Sequence, residues 1–227
     1  MCGMAQTDLL AGKTHAVFDA YGTLFDVHSA VSRHAGAIGP RAQPLSELWR
    51  TKQLEYSWVI GLMGRYTPFW TLTERALDFA LATYPDVDPA LRETLLDAYR
   101  DLDAYGEVPD TLTRLRDAGL KTALFSNGNA AMLERAVASA ELGDRLDAVL
   151  SVDPVRTFKT APAAYQMVLD RFGAARKDVL FFSSNPWDIA GATAFGFDAV
   201  WVNRKGQPDE YPDLPPRAVV SALDDVI

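Results

Sequence analysis

The sequence predicts an α/β protein: a doubly wound, Rossmann-like parallel sheet core with an inserted helical cap. Three observations carry that prediction. Short apolar runs of strand length alternate with helical stretches from residue 121 to residue 202. A further apolar run opens the chain and ends on an acid followed by a Gly-Thr turn. Between these two regions, residues 29–105 show helical periodicity and no strand-like run.

Residues 14–19 read as the first strand. Ala16-Val17-Phe18 runs straight into Asp19, the pattern of a buried parallel strand that delivers a carboxylate to the sheet's C-terminal edge. Leu45, Leu48, Trp49, Leu54, Trp58, Leu62 and Met63 then recur at three and four, which predicts a helix. Further helices are expected over 69–84 and 89–101. Gly106-Glu107-Val108-Pro109 punctuates the chain, and 110–118 reads as a helix ended by Gly119. Strands follow at 121–125, 148–152, 179–182 and 199–202, separated by helices at 131–140, 163–172 and 190–195. Pro162 opens the second of these helices and Gly196 closes the third. The expected division is therefore a core of residues 1–27 and 106–227 and a cap of residues 28–105. Asp19, Ser126 and Ser183 all stand at predicted strand ends, so topology alone gathers them on one rim.

Composition narrows the function. The 227 residues suffice for one large domain or for a core with a modest insertion. A formal net charge of −8 and the lack of a basic run argue against a nucleic-acid partner. A small anionic substrate therefore needs a local positive site. No stretch of about eighteen apolar residues occurs, so no membrane span is expected. The first fifteen residues lack a long apolar core, so no signal peptide is expected. The lone cysteine, Cys2, allows no intrachain disulfide, which fits a reducing compartment, and a cytoplasmic location is expected. The histidines are His15, His28 and His34, and none follows. Ser-His-acid, Cys-His and multi-histidine metal chemistry therefore has little to stand on. No P-loop, G-x-S-x-G elbow or G-x-G-x-x-G run is present. Chemistry must rest on carboxylates, Lys, Arg, Ser, Asn and Tyr.

Five stretches in order carry a resemblance. They are Asp19-Ala20-Tyr21-Gly22-Thr23-Leu24-Phe25-Asp26; Trp49 through Trp58; Leu124-Phe125-Ser126-Asn127-Gly128; Phe158-Lys159 with Pro162 and Tyr165; and Ser183-Ser184-Asn185-Pro186-Trp187-Asp188. Together they resemble the haloacid dehalogenase superfamily, and within it the L-2-haloacid dehalogenases, over roughly residues 14–204. The resemblance implies hydrolysis of short (S)-2-haloacids to (R)-2-hydroxyacids and halide through an ester on Asp19, with no metal or organic cofactor. Phosphatases of the superfamily carry a second Asp two places after the nucleophile. Tyr21 stands there in this chain.

The resemblance assigns the remaining roles. Lys159 would keep Asp19 ionised and in place, and Thr23 would fix its rotamer. Ser126, with backbone amides near Ala20 and Tyr21, would hold the substrate carboxylate. Arg50 and Asn127 would receive the leaving halide, with Trp187 lining the same cradle. Asp188 would orient Lys159 and help activate water, positioned by Ser183 and Asn185, while Tyr165 would brace the site through its hydroxyl. Tyr21, Leu54 and Phe69 resemble the family's apolar wall. Taken singly, several of these residues read otherwise: Ser126 or Asp188 as a helix cap, Lys159 or Arg50 as a solvated charge, Trp187, Tyr21, Leu54 and Phe69 as core.

The sequence departs from the family at Thr51, where a longer Gln is common, at Pro186, and at Gly61 and Gly64 in the cap helix. These departures bear on substrate range rather than reaction type. Two alternatives differ in class: a Mg²⁺-dependent phosphatase of the same fold, and a non-catalytic relative that binds a carboxylate. A homodimer is expected, with Trp58, Met63 and Trp70 as candidate interface residues.

Overall fold

The computed structural model describes residues 9–227, so Cys2 lies outside the described residues. Six parallel strands form one sheet in the order β3-β2-β1-β4-β5-β6. The strands are β1 (His15–Phe18), β2 (Lys121–Ser126), β3 (Ala148–Ser151), β4 (Val179–Ser183), β5 (Asp198–Val202) and β6 (Ala218–Val220). β1 runs between β2 and β4, with Phe18 level with Leu124 on one side and Phe182 on the other. The strand order reverses at this point, and beyond such a switch the chain leaves room for a ligand.

The central strands are apolar because both faces are covered. Every residue of β1 and β4 is buried. Phe18 and Phe182 stack at 4.7 Å across the β1–β4 pair. On this scaffold, α6 (Val108–Asp117), α7 (Ala130–Ser139), α8 (Pro162–Phe172) and α9 (Pro186–Phe195) follow the alternation that the sequence predicts. Helix α9 starts four residues ahead of the expected 190. Pro186 occupies its first turn, where the missing N–H costs nothing, and Asn185 becomes the N-cap position. Asp188 is thus inside the first turn rather than a cap. β6 was not anticipated: three residues following a Pro-rich stretch give too short a signal.

Residues 29–100 contribute two one-turn helices, α1 (Ser29–Ser32) and α2 (Ala35–Ile38), and three longer ones, α3 (Ala42–Leu62), α4 (Phe69–Thr83) and α5 (Leu91–Arg100). Trp49 of α3 is buried and donates its indole N–H to Thr73 O of α4 at 2.8 Å. The two chain crossings to this block run side by side. Asp26 N donates to Asp103 O at 2.8 Å and Tyr105 N to Leu24 O at 3.0 Å. Among the described residues no helix is long and apolar enough to cross a membrane.

The turn after β1 requires glycine. Gly22 has φ +90°, and a Cβ there would stand 2.9 Å from Ser184 Oγ. Gly22→Ala is therefore expected to lower stability by about 1–3 kcal/mol, read as a lower urea midpoint. An unchanged midpoint would contradict this account of the turn.

Candidate active site

Asp19 follows directly on β1, and its backbone N–H donates to Phe182 O of β4 at 2.9 Å. The strand pairing thus continues just far enough to fix where the carboxylate leaves the sheet. Asp19 Oδ1 accepts from Lys159 Nζ at 2.9 Å. Asp19 Oδ2 accepts from Asn185 Nδ2 at 2.8 Å and from Thr23 Oγ1 at 3.1 Å. Three donors hold one carboxylate that is only 5 % exposed.

The same ammonium reaches a second acid. Lys159 Nζ donates to Asp188 Oδ2 at 2.8 Å, and Tyr165 donates its hydroxyl to Asp188 Oδ1 at 2.7 Å. Lys159, Asp188 and Tyr165 are all buried. Burial by itself would push the lysine down, but the charges of Asp188 and Asp19 more than reverse this, so its pKa is raised and it stays an ammonium. The rings of Phe125 and Phe181 stand 4.6 and 5.2 Å from Nζ, adding cation–π attraction. Burial and the Asp19 charge raise the Asp188 pKa, while Lys159 and the Tyr165 hydroxyl pull against them. The Tyr165 hydroxyl is held far above its ordinary pKa, chiefly by burial and then by Asp188, so it remains a donor.

Local sequence explains how these groups converge. Asp188 points back from the first turn of α9, and Tyr165 lies in α8. The two helices touch where Gly191 stands: a Cβ at Gly191 would be 2.5 Å from the Tyr165 hydroxyl. Lys159 sits on the loop before α8, and its backbone N–H donates to Asn127 Oδ1 at 2.8 Å. Asn127 therefore ties the loop after β2 to the loop before α8 through its oxygen. Ser183 Oγ accepts from Asn185 N at 3.1 Å, and Ser126 Oγ accepts from Gly128 N at 3.1 Å. Ser126 is not a helix cap, since Asn129 holds that position in α7. Ser126 is the last residue of β2, beside β1 in the sheet, and is fully buried.

The helical block supplies the other wall. Arg50 donates Nη1 to Gln53 Oε1 at 2.7 Å and Nη2 to Tyr21 O at 3.3 Å. Asn185 Nδ2 also reaches Tyr21 O, at 3.2 Å. Tyr21 stacks between Phe69 at 6.2 Å and Tyr99 at 5.8 Å. Leu54 is half-buried on α3. Trp187 is half-buried and meets Trp58 edge-on at 5.5 Å. These two rings border a cavity of about 650 Å³ between α3, the 157–162 loop and α9. Lys159 lines that cavity and bonds Asp19, which is not itself part of the lining.

The structure gathers Asp19, Thr23, Lys159, Tyr165, Asn185 and Asp188 into one hydrogen-bonded group. Two partners differ from the expectation: the Asn185 side chain bonds Asp19 and the Ser183 hydroxyl bonds Asn185 N, so neither side chain bonds Asp188. The sequence reading missed Gln53, which is fully buried. It bonds Thr73 Oγ1 at 2.6 Å and the Tyr99 hydroxyl at 3.0 Å while gripping Arg50. Its place three residues after Arg50 on one helix face was the available signal. Ser184 was quoted without a role. Its backbone N–H donates to Thr23 Oγ1 at 2.8 Å, which leaves the Thr23 hydrogen for Asp19. Thr51 is exposed, so that departure from the family lies on the surface and not in the pocket.

Chemically, the arrangement is a desolvated carboxylate, a fixed cation beside it, and a second acid with a raised pKa on the far side of that cation. That set suits covalent catalysis by the first acid and proton removal by the second.

Comparison with known proteins agrees. A family model described as haloacid dehalogenase-like hydrolase matches residues 14–196. "(S)-2-haloacid dehalogenase 1" of Pseudomonas sp. (strain CBS-3) is 48 % identical over 211 residues, covering 92 % of this chain and 93 % of that protein. A dehalogenase crystal structure superimposes with TM-score 0.92 at 45 % identity, covering 94 % of this chain and 95 % of that one. The L-2-haloacid dehalogenase of Xanthobacter autotrophicus, solved with chloropropionic acid covalently bound, gives TM-score 0.87 at 38 % identity, covering 94 % and 96 %. The chain belongs to the haloacid dehalogenase-like hydrolases, in the branch of the (S)-2-haloacid dehalogenases.

Proposed function

We propose that the protein hydrolyses short (S)-2-haloalkanoates to (R)-2-hydroxyacids, with Asp19 as nucleophile. The observation that carries this reading is the Lys159 ammonium held between Asp19 and Asp188, 2.9 Å from one and 2.8 Å from the other. An anionic nucleophile and an anionic substrate about 4 Å apart repel by about 4 kcal/mol at an effective dielectric of about 20. Lys159 offsets that repulsion and keeps Asp19 an anion.

In the first step an Asp19 oxygen attacks C2 from the side opposite the halogen. The O–C2 bond forms as the carbon–halogen bond breaks, and the halide leaves with the bonding pair. One in-line displacement inverts C2, which converts (S) to (R). Holding the partners in line supplies up to about 7–11 kcal/mol in favourable cases. Ser126 and the Ala20–Tyr21 backbone hold the substrate carboxylate. Arg50 and Asn127, with Trp187, receive the halide. Tyr21, Leu54 and Phe69 surround the substrate's side chain.

In the second step water adds to the carbonyl carbon of the Asp19 ester. Its proton passes to Asp188, and the C–O bond to the hydroxyacid breaks, restoring Asp19 as the C2 oxygen takes up a proton. The raised pKa of Asp188 makes it a stronger base than an ordinary carboxylate. Thr23, Asn185, Ser183 and Tyr165 keep the two acids in register.

The Tyr21 carbonyl accepts from the Arg50 guanidinium and from Asn185. A phosphatase of this fold would offer that carbonyl to Mg²⁺, and two N–H donors there support the haloacid reading instead. We read residues 28–105 as the cap that closes over the rim left by residues 1–27 and 106–227. Leu62 and Met63 are exposed at the end of α3, beside Trp58, and support a homodimer through this apolar end. Trp70 does not extend that surface: Arg100 covers its ring at 4.2 Å.

Three outcomes follow. Ion chromatography after incubation with (S)-2-chloropropionate should find chloride released equally with and without EDTA, and p-nitrophenyl phosphate should not turn over; phosphate release that EDTA abolishes would overturn the reading. Asp188→Asn should slow ester hydrolysis by about 10²-fold or more and accumulate a substrate adduct on Asp19, seen by intact-mass spectrometry; an inactive variant with no adduct counts against Asp188 as the hydrolytic base. In the pH profile of kcat, activity should fall on the acid side as Asp188 protonates, above the ordinary carboxylate value of about 3.9. The Tyr165 hydroxyl stabilises the Asp188 carboxylate, so Tyr165→Phe should move that limb to higher pH; a limb that stays put or moves lower argues against the pairing.

A further inference from the structure

We propose that Arg204 is a positioning residue for the Asp19 loop, tying it to the segment by which the chain returns from the helical block. The inference rests on the reading of Asp19 as nucleophile. Arg204 follows β5, far in sequence from every group described above, and lies two residues past Val202.

Its guanidinium makes three contacts on two segments. Nη2 donates to Thr23 O at 3.0 Å. Nη1 pairs with Glu107 Oε1 at 2.5 Å, both side chains being mostly buried. The guanidinium carbon stands 3.8 Å from the centre of the Tyr105 ring. This is the range of a strong cation–π contact, and desolvation makes it stronger. Burial raises the Tyr105 pKa to about 12, so its ring stays neutral and electron-rich under the cation.

The segments joined are the ones that matter. Thr23 is the residue whose hydroxyl bonds Asp19 Oδ2 at 3.1 Å. Its carbonyl has no part in that bond, so Arg204 fixes the peptide plane while Ser184 N fixes the hydroxyl. Tyr105 closes the paired crossings through its bond to Leu24 O, and Glu107 stands at the N-cap of α6. Both connections between core and helical block thus pass under one guanidinium. Only arginine satisfies all three contacts, because its guanidinium donates to Thr23 O, lies against the Glu107 carboxylate as an ion pair and presents a planar face to Tyr105. A lysine at 204 offers one point charge and no planar face.

Arg204 touches no reacting atom. Its removal frees the Thr23 carbonyl, loosens the Thr23 hydroxyl on Asp19, and costs alignment at the displacement step. Small misplacements of a nucleophile are expensive: about 1 Å costs about 10²-fold.

The test compares Arg204→Met, which keeps the apolar stem, with Arg204→Lys and wild type. Arg204→Met should lower kcat for (S)-2-chloropropionate by about tenfold or more while KM stays within about twofold, with Arg204→Lys recovering part of kcat. A lowered melting temperature with kcat unchanged well below it would mean that Arg204 only braces the fold, and would overturn the proposal. Should Arg204→Met not fold, Glu107→Gln, which slackens the same clamp from the other side, should lower kcat severalfold at unchanged KM, and full kcat there would also overturn it. Hydrogen exchange over residues 19–26 gives a readout independent of turnover. Arg204→Met, or Glu107→Gln if only that variant folds, should accelerate exchange there, and unchanged exchange refutes the clamp. A wild type that releases no halide refutes the haloacid reading instead, and the exchange result still decides the role of Arg204.

Discussion

A single buried ammonium shared by two buried carboxylates governs the organisation of this molecule. Lys159 is fully buried between Asp19 and Asp188. Removing any one of three such charges from water costs several kcal/mol, and only close partners return it. The partners are close because β1 and β4 are adjacent, and because α9 starts early enough to turn Asp188 toward the switch point. The loop carrying Lys159 is held from below by Asn127. The sheet order, the early start of α9 and the cross-loop bond therefore serve one electrostatic arrangement. Take away the cation and two anions face each other in a dry site.

That arrangement also gives two neighbouring carboxylates different environments. Asp19 is held by donors on both oxygens at the end of β1. Asp188 lies deeper, where burial and its neighbour raise its pKa. Two acids in one site with divergent environments are the usual physical basis for dividing nucleophile from base. The helical block completes the site with an aromatic wall and one guanidinium. Arg50 does not float there, since Gln53, Thr73 and Tyr99 form a buried hydrogen-bonded base beneath it. A cation so anchored has little freedom left to lose.

Much of this was legible in the sequence, and what was not has a physical reason. The strand runs ending at Asp19, Ser126 and Ser183 announced the rim, because buried parallel strands are continuously apolar and stop abruptly at polar loops. The three longer helices of the insertion were legible by period, with boundaries off by up to three residues, while the two one-turn helices were too short to register. Helix α9 was read four residues late because Asn185-Pro186-Trp187-Asp188 looks like loop until Pro186 is recognised as a first-turn residue. β6 carried too few residues to register. Within the site, residues adjacent to a strand end were readable from the pattern and the Lys159 pairs from the resemblance, whereas the supporting contacts of Gln53 and Arg204 were not. Tyr99 and Thr73 meet Gln53 only after three helices pack. Arg204 meets Thr23 only after the whole sheet is laid down, so no local pattern marked it.

The central claim is that oxygen from water enters the product only by way of Asp19. One turnover in ¹⁸O-water with enzyme in excess of (S)-2-chloropropionate tests it most directly, followed by mass spectrometry of the peptide containing Asp19 and of the lactate. The account predicts ¹⁸O in the Asp19 carboxylate and unlabelled oxygen at C2 of the lactate. Label found at C2 of the lactate and absent from the peptide would contradict it.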